Sequence, residues 1–144
     1  MSIAVFFEDA KKSTASCSVH TQVLSAVYLM VELGVNALAV LDREDRIAGI
    51  ITDHDVMRGL VAHKGNLGSD VVANWMTKNV ITCSKDMELG AAVSMMARHH
   101  IRHLVVAENH RLLGIVGIRE LLARVHNDDE LEKQVLRDIA IAAR

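Results

Sequence analysis

The sequence predicts an α/β fold: two β-α-β-β-α repeats packed with pseudo-twofold symmetry, followed by a C-terminal helix. Three observations carry this. First, the chain contains one unit twice. Gly34-Val35-Asn36-Ala37-Leu38-Ala39-Val40 precedes Gly49-Ile50-Ile51-Thr52-Asp53-His54-Asp55. In the same order, His100-Ile101-Arg102-His103-Leu104-Val105-Val106 precedes Gly114-Ile115-Val116-Gly117-Ile118-Arg119-Glu120. Val23, Ala26, Val27 and Met30 stand 66 positions before Leu89, Ala92, Val93 and Met96; from Arg46 and Arg111 onward the offset is 65, so the intervening turn loses one residue. Two copies are too few for a solenoid and suit a two-lobed module with paired clefts. Second, 51% of the residues are hydrophobic but only 3% aromatic, so the core is aliphatic, as in buried α/β strands. Third, helical and strand periodicities alternate in the same order in both halves.

The elements follow in order along the chain. A short helix is predicted over Ala4 to Lys11, and Ser16 to Val19 is extended. Thr21 is placed as the cap of a helix whose apolar face is Val23, Ala26, Val27 and Met30, and Gly34 ends it. Leu38 to Leu41 is a strand, Asp42 to Asp45 a polar turn, and Ile47 to Thr52 a second strand that closes a hairpin. Asp53 or Asp55 starts a helix to about Ala62. His63 to Ser69 is a linker and Asp70 to Met76 a short helical turn. In the second half, Val80 to Cys83 is extended, Met87 to His99 helical, Leu104 to Val106 and Leu112 to Val116 strands, and Ile118 to Val125 helical. The tail from Asp128 to Arg144 lies outside the repeat, and its acidic opening suits a helix N-terminus. Its apolar stripe, Leu131, Val135, Ile139 and Ala142, either packs on its own domain or joins two chains. The 144 residues thus form one module: repeat one at about 5–64, linker and short helix at 65–79, repeat two at about 80–126, terminal helix at about 128–143.

Composition excludes several function classes. A net charge of −2, without a long basic run, argues against nucleic acid. No apolar stretch approaches the roughly 20 residues that span a bilayer, and Ile3 to Phe7 is too short for a signal sequence, so a cytoplasmic protein without a membrane partner is expected. Cys17 and Cys83 occupy one repeat position; they read as small buried hydrophobes, the alternative being a redox pair across the pseudo-dyad. No nucleophile lies in an elbow or triad context, no phosphate loop is present, and Gly114-x-x-Gly117 lacks the third glycine of a dinucleotide fingerprint, so no enzyme is expected. His99, His100 and His103 lack a Cys or carboxylate to complete a metal site, and none is expected.

The strongest polar signal is Thr52-Asp53-His54-Asp55, where a strand ends and a helix begins. A hydroxyl and a carboxylate three residues apart there can face the crevice above the strand. The carboxylate can accept two hydrogen bonds from a ribose diol, and its loss then weakens binding but not the fold. Helix capping accounts for one of the two residues without requiring that spacing.

On these residues, together with Ile101-Arg102-His103-Leu104-Val105-Val106 and Trp75-Met76-Thr77 leading into Val80-Ile81-Thr82-Cys83-Ser84-Lys85-Asp86, the chain resembles the paired cystathionine-β-synthase (CBS) domain, or Bateman module, over about residues 5 to 126. It departs from the family at Ala39 and Val105, where a proline is usual, and its tail resembles the terminal helix of free-standing bacterial members. The resemblance implies a regulatory module, with no obligatory cofactor, that binds AMP, ADP, ATP, S-adenosylmethionine or NADH between the repeats and acts on an unidentified partner protein. It implies a first cleft from Ile50, Thr52, His54 and Asp55 facing Val80, Ile81, Thr82, Ile101, Arg102 and His103. There Asp55 holds the ribose, and Arg102, with His103 or Arg119, faces phosphate. It implies a weaker second cleft from Ser16, Cys17, Ser18, Val35, Asn36 and Ala37 with Ile115, Gly117 and Glu120, where the threonine is lost and the aspartate has become glutamate. The positive charge around the first cleft favours an anionic nucleotide over a sulfonium. Surplus apolar residues on two helices (Leu24, Tyr28, Leu29 and Val31; Met95) predict a homodimer of flat discs, and the alternative is a purely structural dimerisation module with a vestigial site.

Overall fold

The computed structural model describes residues 1–10, 15–126 and 129–143. After helix α1 (Ile3–Ala10), the first lobe contains β1 (Ser16–Ser18), α2 (Val23–Leu33), β2 (Ala37–Leu41), β3 (Ile47–Thr52) and α3 (Asp53–Ala62). A 3-10 turn (Val72–Asn74) lies in the linker. The second lobe contains β4 (Thr82–Cys83), α4 (Leu89–His99), β5 (His103–Glu108), β6 (Arg111–Gly117) and α5 (Ile118–His126), and α6 (Asp129–Ala142) follows. Both halves are β-α-β-β-α, as the repeat predicts. Lys11, Asp128 and Arg144, and the side chain of Leu131, lie outside the described residues.

Each lobe has one three-stranded sheet with the same topology. The first strand pairs parallel with the second, and the second antiparallel with the third. The lost residue is in the hairpins: Leu41 pairs with Ile47, whereas the equivalent Ala107 pairs with Leu112. Side chains alternate across a strand. Leu38 and Val40 therefore enter the core of lobe one, and Leu104 and Val106 that of lobe two. Ala39 and Val105 are also fully buried but belong to neither core. They point to the opposite sheet face, where β2 lies against β6 at the seam between lobes. The two departures from the family pattern therefore stand where the lobes meet.

The helix ends repeat as well. Gly34 ends α2 in the left-handed region at φ 66°, its N–H reaching the Met30 and Val31 carbonyls. His100 takes the same role after α4 at φ 54° without glycine's freedom. Thr21 does not cap α2. The cap position is Gln22, which makes no side-chain bond there. The Thr21 hydroxyl instead accepts the Ser18 N–H at 3.0 Å, and Thr21 N–H returns to the Ser18 carbonyl, so the hydroxyl is used in the turn before the helix.

Each lobe is completed by a segment that the repeat alone does not assign to it. Helix α1, sequentially next to lobe one, packs on lobe two: Ile3 and Phe6 lie in its core, and Ile3 and Ala4 donate to the Met87 and Lys85 carbonyls. The linker packs back on lobe one through Val72 and Trp75, with Val72 N–H on Thr21 and Val23 N–H on Asp70. Two glycines show the exchange. A Cβ at Gly49 would lie 2.7 Å from the Thr77 carbonyl of the linker, and one at its counterpart Gly114 would lie 2.8 Å from the Phe7 ring of α1.

The terminal stripe packs within the chain. Val135 is buried in the core of lobe two, Ile139 packs beside it, and α6 lies along α4 so closely that a Cβ at Gly90 would overlap the Asp138 carboxylate. Cys17 and Cys83 are free thiols, each packed in its own lobe rather than paired across the seam. Burial pushes both thiols up to about 11, the Thr21 hydrogen bond opposing this at Cys17, so neither is a reactive thiolate.

Candidate functional site

The turn from β3 into α3 is a closed hydrogen-bonded unit. Thr52 is extended at φ −116° and stands at the N-cap; its hydroxyl accepts the Asp55 N–H at 3.2 Å. Asp55 Oδ2 accepts the Thr52 N–H at 3.0 Å and its hydroxyl at 3.2 Å. This is a capping box with aspartate as the third helical residue. The spacing that distinguishes a ribose site in the sequence is thus also the spacing that caps a helix with both residues. The remaining oxygen, Oδ1, accepts the Thr77 hydroxyl at 3.1 Å and the Arg58 guanidinium through Nη2. Asp55 is 4% exposed, and four donors fill the roughly four acceptor positions of a carboxylate. It is therefore part of the local hydrogen-bonded framework, which corrects the expectation that it faces a crevice freely.

The linker is held to this turn. Thr77 and Ile50 exchange both backbone hydrogen bonds, at 3.0 and 2.9 Å. Upstream, Asp70 accepts from Val71 N–H, the Asn74 amide and the Trp75 indole. The Asn74 and Trp75 bonds hold its carboxyl below the usual range. Trp75 lies over Gly59 of α3 and stacks with the His63 ring at 5.2 Å. The linker thus leaves β3 in a fixed direction and delivers Lys78, Val80 and Thr82 to the seam. There, with Ile47 and the β5–β6 hairpin residues Ala107, Asn109 and His110, they line a cleft of about 450 Å³, within the usual size range for ligand pockets.

The predicted first-cleft residues separate into groups. Ile50, Thr52, Asp55, Val80 and Thr82 lie along the turn, the linker and that cleft. His54, Arg102 and Arg119 are exposed. Ile81 and Ile101 pack against the core of lobe two. His103 lies elsewhere: its Nε2 is 2.9 Å from Asn36 Oδ1, and its ring is the nearest neighbour of a Cβ built at Gly117. Asn36 and Gly117 belong to the predicted second cleft, so His103 stands with that cleft and bridges the lobes.

In the second cleft, Ser16 and Cys17 pair with Ala39 and Val40, and Ser18 is engaged in its own turn, its hydroxyl accepting His20 N–H. Ala37 is buried, and Val35 packs on lobe one. Ile115 pairs with Val105, and Glu120 is half-buried in the first turn of α5. Gly117 stands where Thr52 stands in lobe one and has no hydroxyl, so the reciprocal cap cannot form. Arg58 and Thr77 are absent from the sequence prediction of the site. A signal existed for Arg58, since residues three apart on a helix are neighbours; Thr77 is placed only by the folding back of the linker.

A family model for the CBS domain matches residues 9–62 and 69–127, so the chain belongs to the CBS domain family, as a pair of such domains. An uncharacterised protein of Methanopyrus kandleri is 30% identical over 116 residues, 80% of this chain; the match spans 59% of that relative's length. A CBS domain protein from Pyrobaculum aerophilum, complexed with AMP, superimposes with a TM-score of 0.78 at 21% identity, covering 98% of this chain and 99% of that one. The CBS domain pair of protein MJ0100, in complex with 5-methylthioadenosine and S-adenosyl-L-methionine, gives a TM-score of 0.72 at 20% identity, covering 90% of this chain and 98% of that one. At these identities the structural matches establish the fold alone.

Among the described residues, no helix is long and apolar enough to cross a membrane, and no cluster of three or more His, Cys, Asp or Glu side chains could hold a metal ion.

Proposed function

We propose that this chain is a regulatory, non-catalytic module that senses an adenine nucleotide of the AMP, ADP or ATP class at the seam between its lobes and passes the signal to a partner protein. The observation that carries the reading is the joint placement of the Thr52–Asp55 turn and the linker. One carboxylate binds both, and the linker lines the inter-lobe cleft. A ligand that engages the turn therefore acts on the segment connecting the lobes. AMP in the Pyrobaculum neighbour supports the ligand class, and the methylthioadenosine and S-adenosylmethionine of the MJ0100 pair define the competing adenosyl class. Arg58, Lys78, Arg102 and Arg119 are exposed. Phosphate gains charge-assisted hydrogen bonds from such groups, whereas a sulfonium is repelled. Competitive calorimetry of AMP, ADP, ATP and S-adenosylmethionine tests this; tighter binding of S-adenosylmethionine than of every nucleotide contradicts it.

The module acts as a homodimer in this reading. Leu24, Tyr28 and Val31 of α2 are exposed, Tyr28 by 68% and Val31 by 76%. Met57 and Val61 on α3 are exposed as well. A specific observation also favours a structural dimerisation module with no working site: the acceptors of Asp55 are already filled within the chain. Thermal shift with nucleotide separates the two readings, because a ligand at 100 times Kd stabilises by about 2.7 kcal/mol and a vestigial site gives no shift.

A further inference from the structure

We propose that Arg58 occupies the ribose position of the first cleft, so that nucleoside binding displaces it from Asp55. The proposal rests on the sensor reading above and names the residue that sets affinity at that same site.

The argument begins from the four donors on Asp55. Two come from Thr52, whose N–H and hydroxyl are fixed by the capping box. The third is the Thr77 hydroxyl, on a residue anchored by two backbone hydrogen bonds to Ile50. The fourth is Arg58, one turn along α3 on a long side chain that is 63% exposed, while the Asp55 side chain it meets is 3% exposed. The Thr52 N–H cannot leave without opening the helix start, and the two threonine hydroxyls sit on short side chains whose backbone is pinned by the cap and by Ile50. Arg58 can leave by rotating its side chain into solvent. A ribose hydroxyl arriving at Asp55 needs an acceptor position, and the one on Oδ1 that Arg58 fills becomes available when the guanidinium departs, beside the Thr77 hydroxyl.

Exchange of an exposed guanidinium for a diol has a thermodynamic signature. The guanidinium stabilises the empty state and lowers the apparent affinity for every ligand that needs Oδ1. A residue that merely braces the turn would behave oppositely, its removal loosening the site and weakening binding.

The test is calorimetric titration of the full chain with adenosine, which carries the diol but no phosphate, for wild type, Arg58→Ala and Arg58→Gln, with thermal unfolding of each. The expected result is adenosine binding about tenfold tighter in both variants, from loss of one charge-assisted hydrogen bond in the empty state, with a melting temperature equal to or below that of wild type. Affinity and stability then move in opposite directions. Unchanged or weaker adenosine binding in both variants, alongside measurable binding by wild type, overturns the proposal and leaves the sensor reading standing. If wild type and variants bind neither adenosine nor AMP, the sensor reading itself fails and takes the proposal with it.

Discussion

At the start of α3, Thr52 and Asp55 bond reciprocally and Asp55 reaches on to the linker; at the start of α5 the equivalent positions are Gly117 and Glu120. The helix faces also differ. In lobe two, α6 covers α4 at Gly90 and Ser94, whereas the equivalent residues of lobe one, Leu24 and Tyr28, are exposed. The apolar skeleton is nearly the same in both lobes: Leu38 and Leu104, Val40 and Val106, Ala26 and Ala92 are all buried. Core positions are held by packing, where a change of one methylene is felt. Polar positions answer to their local partners, and here they differ between the repeats, Thr52 against Gly117 and Asp55 against Glu120. One backbone plan thus yields a lobe with a threonine-capped turn and an exposed helical face, and a lobe with a glycine at the cap position and a covered face.

The largest effect expected from this difference is at the two acidic residues. Asp55→Ala removes a cap and strands donors from Thr52, Thr77 and Arg58, and should destabilise the chain by about 2–4 kcal/mol. Glu120→Ala has no threonine cap to lose, since position 117 is glycine, and should cost less, about 1 kcal/mol. Urea denaturation of the two variants checks this, and equal losses would break the comparison. Next is Gly59, where a Cβ would overlap the Trp75 ring, while its counterpart Arg124 carries a full side chain. Gly59→Ala gains about 1 kcal/mol of helix propensity but overpacks the site by about 1–3 kcal/mol, so a net loss is expected in the same assay.

A smaller change in stability, but a large one in mass, is expected at the open face. Tyr28→Glu should convert a dimer to a monomer in light scattering while shifting unfolding by no more than about 0.5 kcal/mol. A wild-type monomer at micromolar concentration contradicts the dimer. The smallest effect is shared by both lobes. Because Cys17 and Cys83 are raised to about 11 from 9.0, the folded chain holds its thiol protons more tightly. That contribution is complete below pH 9 and is lost as pH rises towards 11. Melting temperature should fall over that window, and less steeply in the Cys17→Ala, Cys83→Ala double variant.

The fold was legible because periodicity and punctuation agreed. The apolar spacing from Val23 to Met30, the stop at Gly34 and the hairpin around Asp42–Asp45 each left one reading. Thr21 misled because a hydroxyl one residue before the cap serves equally well in a turn, and sequence does not show which N–H it meets. Thr52 and Asp55 stand out in the sequence, but their mutual capping does not, since the same atoms can bond each other or a diol. The packing of α1 on lobe two has no trace in the repeat, which fixes order along the chain and not which lobe a flanking helix completes.

The proposed function stands on one nucleotide binding per chain, at the seam beside the Thr52–Asp55 turn. Calorimetric titration of the full chain with AMP tests it most directly, because it counts sites. The predicted result is one site per chain, lost in Asp55→Ala and retained in Glu120→Ala. Two equivalent sites per chain, or a single site that survives Asp55→Ala and disappears in Glu120→Ala, would contradict it.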